Sequence, residues 1–206
     1  MKKWIKWGVL LLVLLLGYLY LCAQGLHENK YVALSVNGDP IAFSEIDAKV
    51  AESEKAAARA QKKDPAVSQE ALDAILLTNE EATRLLIEER IMLQEADKLR
   101  IFASEVAARD AAQADFAQLL QHVQEGSATD EEADRYEEIR VYMESKKFPI
   151  ERYPDLAYVL YQEELTRENL RKYFNKHLCD DPEKEEEEFA AYIQELIDNA
   201  QVVYAK

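Results

Sequence analysis

The stretch Tyr31-Val-Ala-Leu-Ser-Val-Asn-Gly-Asp-Pro-Ile-Ala-Phe-Ser-Glu-Ile-Asp-Ala-Lys-Val50 decides the fold of this chain. Apolar residues alternate with alanine and serine from Val32 to Val36, which is the period-two pattern of a half-buried strand. Asn37-Gly38 predicts a tight turn, because both residue types tolerate a positive φ, and Ile41 and Phe43 predict a short returning strand. We therefore expect a β-hairpin here.

A helix is expected to begin at Ser44, directly after this hairpin. The Ser44 hydroxyl can accept a hydrogen bond from the backbone N–H of Asp47, and the Asp47 carboxylate can reach back, as in a capping box. Alanine, glutamate and lysine dominate the residues that follow through Lys62, which is a composition typical of a helix.

A further β segment, Val202-Val203-Tyr204, lies at the other end of the chain. Strands without neighbours leave backbone N–H and C=O groups unpaired, and pairing two such strands satisfies both. We therefore expect the first and last elements to share one small sheet.

Capping residues and helical spacing of apolar residues predict several helices between the two ends. Asn79-Glu80-Glu81 after Thr78 is a capping-box pattern, and the helix that follows should reach Leu99. The predicted starts of the helices are Ser68, Thr78, Ser104, Thr129, Tyr153 and Glu183. The fold class is therefore predicted as mainly α, of the α+β type.

The N-terminal residues 1–26 have the pattern of a signal anchor. Lys2, Lys3 and Lys6 precede an uncharged run from Trp7 to Leu26, almost wholly apolar from Trp7 to Ala23, that is long enough at about 1.5 Å per residue to span a hydrocarbon core of about 30 Å. Basic residues remain on the cytoplasmic side, so residues 27–206 are expected to form one extracytoplasmic domain of a single-pass protein of the cell membrane.

Cleavage after Ala23 and lipidation at Cys22 are the alternatives to a retained anchor. Both need small residues beside the processing site, and Leu21 is large. A retained transmembrane helix is therefore the favoured interpretation.

The charge of the chain excludes nucleic acid as a partner. The 206 residues carry a formal net charge of −15, and no basic stripe interrupts the acidic pattern. Backbone phosphates would be repelled by such a surface. The oligomeric state stays open.

No enzyme site is predicted from the sequence. The three histidines, His27, His122 and His177, are far apart, and the chain has neither a glycine-rich phosphate loop nor a nucleophile elbow. His177, Cys179 and Asp180 are residue types that bind metals, but a second ligand cluster is missing, so we predict no metal and no cofactor.

Three features, in this order, resemble the exported chaperones and foldases of the SurA and PrsA type. They are the opening Val-Ala-Leu-Ser-Val-Asn-Gly-Asp-Pro-Ile with its helix start, the helix Leu85-Leu-Ile-Glu-Glu-Arg-Ile-Met-Leu-Gln-Glu-Ala96 followed by Ser104-Glu105, and the closing Ala200-Gln-Val-Val-Tyr204. The resemblance implies a SurA N-domain-like helical module assembled from both ends of the chain.

The chain departs from this family in two places. A parvulin prolyl-isomerase domain usually precedes the last helix, but here residues 178–188 fill that position and no glycine follows Gly126, so the isomerase domain is expected to be absent. Arg100 stands where relatives often have a glycine that ends the helix.

The resemblance implies a membrane-anchored chaperone-like protein that binds unfolded or newly exported polypeptides without covalent chemistry. Such binding needs an exposed apolar groove surrounded by charge. The residues expected to line this groove are Ile87, Ile91, Met92, Phe116, Leu120, Tyr136, Tyr142, Met143, Phe148 and Tyr158. The alternative is an anchored scaffold or assembly factor that binds one specific folded partner, because broad and narrow apolar grooves have the same sequence pattern.

Overall fold

A computed structural model describes residues 31–205 and contains a three-stranded antiparallel sheet and a set of helices. The strands are β1 (Val32–Val36), β2 (Asp39–Ala42) and β3 (Val202–Tyr204), in the order β2-β1-β3. The predicted fold class and the shared sheet are confirmed. The predicted transmembrane helix lies outside the described residues, and within residues 31–205 no helix is long and apolar enough to cross a membrane.

Seven α-helices lie between β2 and β3 in this part of the chain. They are α1 (Phe43–Lys63), α2 (Gln69–Asp73), α3 (Asn79–Lys98), α4 (Glu105–Glu125), α5 (Asp130–Ser145), α6 (Tyr153–His177) and α7 (Glu185–Asp198). Short 3-10 turns at Ile150–Arg152 and Pro182–Lys184 precede α6 and α7. The chain divides into two compact units, one of residues up to 87 together with 200–205 and one of residues 88–199.

Most predicted helix starts are confirmed by hydrogen bonds. Ser68 and Ser104 each accept a backbone N–H as N-caps. The Thr78 hydroxyl oxygen accepts from the N–H of Glu81 at 3.2 Å, while the Thr78 N–H donates to the Glu81 carboxylate at 2.8 Å. Thr129 forms the same reciprocal pair with Glu132, the third residue of its helix. These caps satisfy backbone N–H groups that the first turn of a helix leaves free.

The predicted cap at Ser44 is wrong. The helix α1 begins at Phe43, which was expected in the returning strand, and its N-cap is Ala42. The N–H of Phe43 donates to the carbonyl of Tyr31 at 2.8 Å, so the strand pairing leads directly into the first helical turn. The Ala42 N–H donates to the Glu45 carboxylate at 3.1 Å, so Glu45 caps the helix from its third position.

The hairpin turns at Asn37 and Gly38, where φ is 52° and 94°. Val36 pairs with Asp39 across this turn, and Leu34 pairs with Ile41. The side chains of Leu34, Val36 and Ile41 are buried and form the apolar face of the sheet. The predicted tight turn is therefore confirmed.

The pairing of β1 with β3 brings the two ends of the described chain together. Leu34, Ser35 and Val36 lie opposite Tyr204, Val203 and Val202. The Asn37 N–H donates to the Gln201 carbonyl at 2.8 Å, and the Ala205 N–H donates to the Ala33 carbonyl at 2.9 Å. Because hydrogen-bonded pairs alternate in an antiparallel ladder, the Val203 N–H and C=O face Ser35, whereas those of Tyr204 point away.

Two apolar clusters form the core of the second unit. In the first, Leu170 and Phe174 of α6 pack against side chains of α3 and α7. In the second, α4 and α5 pack together through Phe116, Leu119, Ile139 and Met143. Within this unit, α6 is therefore buried over its second half by α3 and α7.

The loop before α4 is held to α6 by polar side chains. The Ala103 N–H donates to the Thr166 hydroxyl at 3.0 Å, and the Gln162 amide donates to the Ala103 carbonyl at 2.8 Å. The Asn169 amide donates to the Ile101 carbonyl at 3.1 Å. These bonds satisfy loop backbone groups beside the buried Thr166 and fix where α4 starts relative to α6.

Arg100 ends α3 in a left-handed conformation with φ of 57°. The Ile101 N–H donates to the Ala96 carbonyl at 2.9 Å, which is the bond of a Schellman C-cap. Glycine adopts this conformation without steric cost, whereas a residue with a Cβ atom pays about 1–2 kcal/mol. The left-handed turn that ends α3 thus forms despite the arginine.

Replacing Arg100 with glycine should raise the free energy of unfolding by about 0.5–1 kcal/mol, because relief of the Cβ strain exceeds the entropy that glycine adds to the unfolded chain. Urea unfolding followed by circular dichroism measures the change. Arg100→Ala retains the Cβ atom and is the control that should bring no such gain. A loss of stability in Arg100→Gly would show that the arginine side chain, rather than the backbone, stabilises this turn.

Replacing Val203 with proline should destabilise the first unit by about 2 kcal/mol or more, since it removes an N–H that faces Ser35. Tyr204→Pro is the matched control, because its N–H points away from β1 and a much smaller loss is expected. Thermal unfolding measures both. Equal losses in the two variants would contradict the register of the β1–β3 pair.

Candidate functional site

The structure places the ten predicted groove residues at different depths. Those that are buried are Ile87, Ile91, Met92, Phe116 and Met143; Leu120, Tyr136 and Tyr158 are half-buried; Tyr142 and Phe148 are exposed. Ile87 belongs to the first unit and the other nine belong to the second. Client contact by these residues stays a prediction.

Four of the ten residues lie in one apolar cluster between α4 and α5. Phe116 and Met143 are buried there, and Leu120 and Tyr136 pack against them. The ring of Phe116 lies 5.4 Å from that of Tyr153, between ring centroids, at a tilt of 48°. These side chains therefore contribute packing energy to the second unit, and client access to them needs movement of α4 or α5.

Two of the aromatic residues, exposed Tyr142 and half-buried Tyr158, lie beside cations. The Lys146 ammonium is 5.7 Å from the centroid of the Tyr142 ring, and the Arg109 guanidinium is 3.9 Å from that of Tyr158. Cation–π contacts of this kind hold an aromatic face at the surface without removing it from solvent.

A stripe of exposed apolar side chains on α6, formed by Leu156, Val159 and Leu160, was not predicted as a site from the sequence. Their spacing of three and four residues places them on one side of the helix. This spacing was readable from the sequence, but the sequence does not tell whether a neighbouring element covers the stripe. The three residues are called the α6 stripe below.

A half-buried polar network joins the three helices α4, α5 and α6. The Arg135 guanidinium donates to both carboxylate oxygens of Asp115 and, at 3.0 Å, to the hydroxyl oxygen of Tyr161. The Tyr161 hydroxyl in turn donates to Asp115. One residue from each helix thus contributes, and the network fixes the spacing of the three helices.

The network shifts the protonation equilibria of its members. The Arg135 guanidinium holds the pKa of Asp115 below its usual range, and the Tyr161 hydrogen bond adds to this effect against the cost of burial. Burial is the largest cause that raises the pKa of Tyr161, followed by its bond to Asp115. Asp115 is therefore ionised and Tyr161 neutral at neutral pH.

Two histidines of the second unit have partners nearby. His122 Nδ1 lies 2.7 Å from the Glu132 carboxylate, and the ring of His177 lies 4.6 Å from that of Tyr173. Burial raises the pKa of the Cys179 thiol, which keeps it protonated. Among residues 31–205 no group of three or more histidine, cysteine, aspartate or glutamate side chains is placed to hold a metal ion. The described surface presents the exposed α6 stripe and charged side chains.

Replacing Arg135 with glutamine should lower the free energy of unfolding by about 1–2 kcal/mol at pH 7, a range that allows for partial solvent screening of the pair. The pKa of Asp115 is depressed in the folded chain, so this stabilisation is complete above the unfolded-state pKa of about 3.9 and is lost as the pH falls through the lower folded-state value. Thermal unfolding at neutral and acidic pH measures the difference.

Arg140→Gln is the control for this experiment, because Arg140 pairs only with Glu137 and Glu144 on its own helix in the described structure. It should cost measurably less than Arg135→Gln. Equal costs, or a cost of Arg135→Gln that persists in acid, would show that the network does not join the three helices as described.

Comparison with known proteins places the chain in a family. The family model for the SurA-like N-terminal domain matches residues 1–139, which extends from the N-terminus into α5. Searches of curated proteins and of solved structures each found no match. The segment between α6 and α7 consists of residues 178–184 only, so no parvulin domain is inserted there. The resemblance stated from the sequence is confirmed, and this chain belongs to the family of SurA-like N-terminal domains.

Proposed function

We propose that this protein is a chaperone-like factor that binds unfolded or newly exported polypeptides outside the cytoplasm, without prolyl-isomerase activity. Membership of the SurA-like N-terminal domain family is the observation that carries this proposal. The exposed α6 stripe, together with exposed Tyr142 and Phe148, supports it, because binding of unfolded chains requires accessible apolar side chains.

The proposal includes an anchor in the cell membrane through residues 1–26. The support is the sequence pattern of three lysines followed by an apolar run long enough to span a bilayer. An anchored binder of this kind would meet exported chains as they emerge, at a high local concentration.

The acidic character of the chain fits a binder that stays soluble while it exposes apolar side chains. A net charge of −15 opposes association of one copy with another, since like-charged surfaces repel. The same charge favours clients that carry lysine or arginine, because complementary charge accelerates encounter.

The full-length chain, purified in detergent, should suppress aggregation of a chemically unfolded reporter enzyme at near-stoichiometric amounts. Light scattering measures aggregation, and detergent with an unrelated anchored acidic protein is the control. A proline-containing test peptide should isomerise at its uncatalysed rate in the same samples.

Absence of both aggregation suppression and binding to unfolded chains would reject the proposal. Cross-linking in cells that gives a single abundant partner, in place of a heterogeneous set of exported chains, would favour the alternative of a scaffold or assembly factor for one folded protein.

A further inference from the structure

The α6 stripe lies on the side of α6 that is buried further along the same helix. At 3.6 residues per turn, Leu156 and Phe174 are about five full turns apart, and Leu160 and Phe174 are about four turns apart, so they share one side of the helix. Phe174 and Leu170 are buried under Met92 and Ala96 of α3 and under α7. The stripe therefore continues the core face of α6.

The first half of this face is uncovered in the described structure. Leu156, Val159 and Leu160 are 41%, 45% and 65% exposed, whereas Leu170 and Phe174 further along are 0% and 3% exposed. Leaving such a face in water forgoes free energy that burial supplies elsewhere on the same helix. The apolar face over the start of α6 is thus exposed and can receive a further segment of polypeptide.

Charge along this face differs between its two ends. Before the stripe, Arg152 donates to Asp155 at 2.6 Å, so the two charges compensate each other. After the stripe, Glu163 and Glu164 follow Leu160 by three and four residues, and among residues 31–205 neither carboxylate has a hydrogen-bond or ion-pair partner. The end of the stripe nearer the middle of α6 is therefore negative.

The cation one turn further along α6 is already engaged. Arg167 lies 3.8 Å from the Glu89 carboxylate, which draws its guanidinium toward α3. The carboxylates of Glu163 and Glu164 thus remain available to a positive group brought by a ligand.

We infer that the α6 stripe with Glu163 and Glu164 is the docking site for a cationic, leucine-rich segment of a client polypeptide. Its apolar side chains would complete the cover of α6, and a lysine or arginine next to them would meet the two glutamates. This inference rests on the proposed function and adds a site and a client class to it.

A second copy of the chain does not fit this site. Each copy carries a net charge of −15, and a symmetric contact over the stripe would place Glu163 and Glu164 near the same groups of the partner copy. Basic client segments avoid this repulsion.

The test uses the full-length chain in detergent and a short fluorescein-labelled peptide. In this peptide, leucines at helical spacing form one face and lysines form the other. Fluorescence anisotropy should show binding of this peptide, and a peptide with glutamate in place of every lysine should bind at least about tenfold more weakly. Equal binding of the two peptides, or no binding of the lysine peptide, would overturn the inference.

Two double variants, each compared with a control double variant, locate the site. Leu156→Ser with Leu160→Ser should weaken binding of the lysine peptide about tenfold or more, whereas Val106→Ser with Val141→Ser, which changes exposed apolar side chains of α4 and α5, should leave it within about twofold. Glu163→Gln with Glu164→Gln should weaken binding about three- to tenfold, and Glu131→Gln with Glu187→Gln, which removes the same charge elsewhere, should not. If either double variant has the same effect on binding as its control, the inference is overturned.

A photoreactive residue at position 160 identifies the occupant. A cross-link to the lysine peptide supports the inference, and a cross-link to residues 1–30 of the same chain or to a second copy overturns it.

Aggregation assays distinguish failure of the proposed site from failure of the proposed function. If the wild-type chain and the Leu156→Ser, Leu160→Ser variant suppress aggregation equally, the site is wrong and the proposed function stands; if the wild-type chain neither suppresses aggregation nor binds unfolded reporter, the proposed function fails.

Discussion

The first unit of this protein depends on one exchange of hydrogen bonds, between Asn37 and Gln201. The Asn37 N–H donates to the Gln201 carbonyl, and the Asn37 side-chain oxygen accepts from the Gln201 N–H, each at 2.8 Å. The same asparagine holds a positive φ in the hairpin turn. One residue therefore turns β1 into β2 and fixes β3 to β1, and the buried face of Leu34, Val36 and Ile41 forms in a sheet that needs residues from both ends of the chain.

The second unit is organised along α6. The second half of α6 is buried by α3 and α7. Thr166 and the Asp115–Arg135–Tyr161 network bond α6 to α4, α5 and the loop before α4. The apolar face at the start of α6 is exposed. Polar contacts fix the helix position, because their geometry is directional, while burial of the exposed apolar face would provide free energy for the proposed docking of a client. An ordered helix that is only partly covered suits the proposed capture of client segments, since little of the protein has to be ordered when a client docks.

Local chemistry made much of the fold predictable. The caps at Ser68, Ser104, Thr78 and Thr129 were found from sequence, because each bond joins residues within one turn. The cap at Ser44 was wrong, because the bond that decides the helix start, from Phe43 to Tyr31, belongs to the strand pair. The Arg135 network was missed, since Asp115 and Tyr161 lie 20 and 26 positions away in the sequence. Likewise, the periodicity of Leu156, Val159 and Leu160 predicts that they share one face of a helix. Whether that face is exposed could not be predicted, because it depends on elements far away in the sequence.

The most direct test of the account is hydrogen–deuterium exchange on the full chain and on a chain from which residues 200–206 have been removed. The account predicts that the amides of Ser35 and Asn37 lose their protection in the shortened chain, because their acceptors lie on Val203 and Gln201. Amides of α4 and α6, which belong to the other unit, should keep theirs. Retained protection at Ser35 and Asn37 would contradict the claim that the two ends of the chain are joined in one sheet.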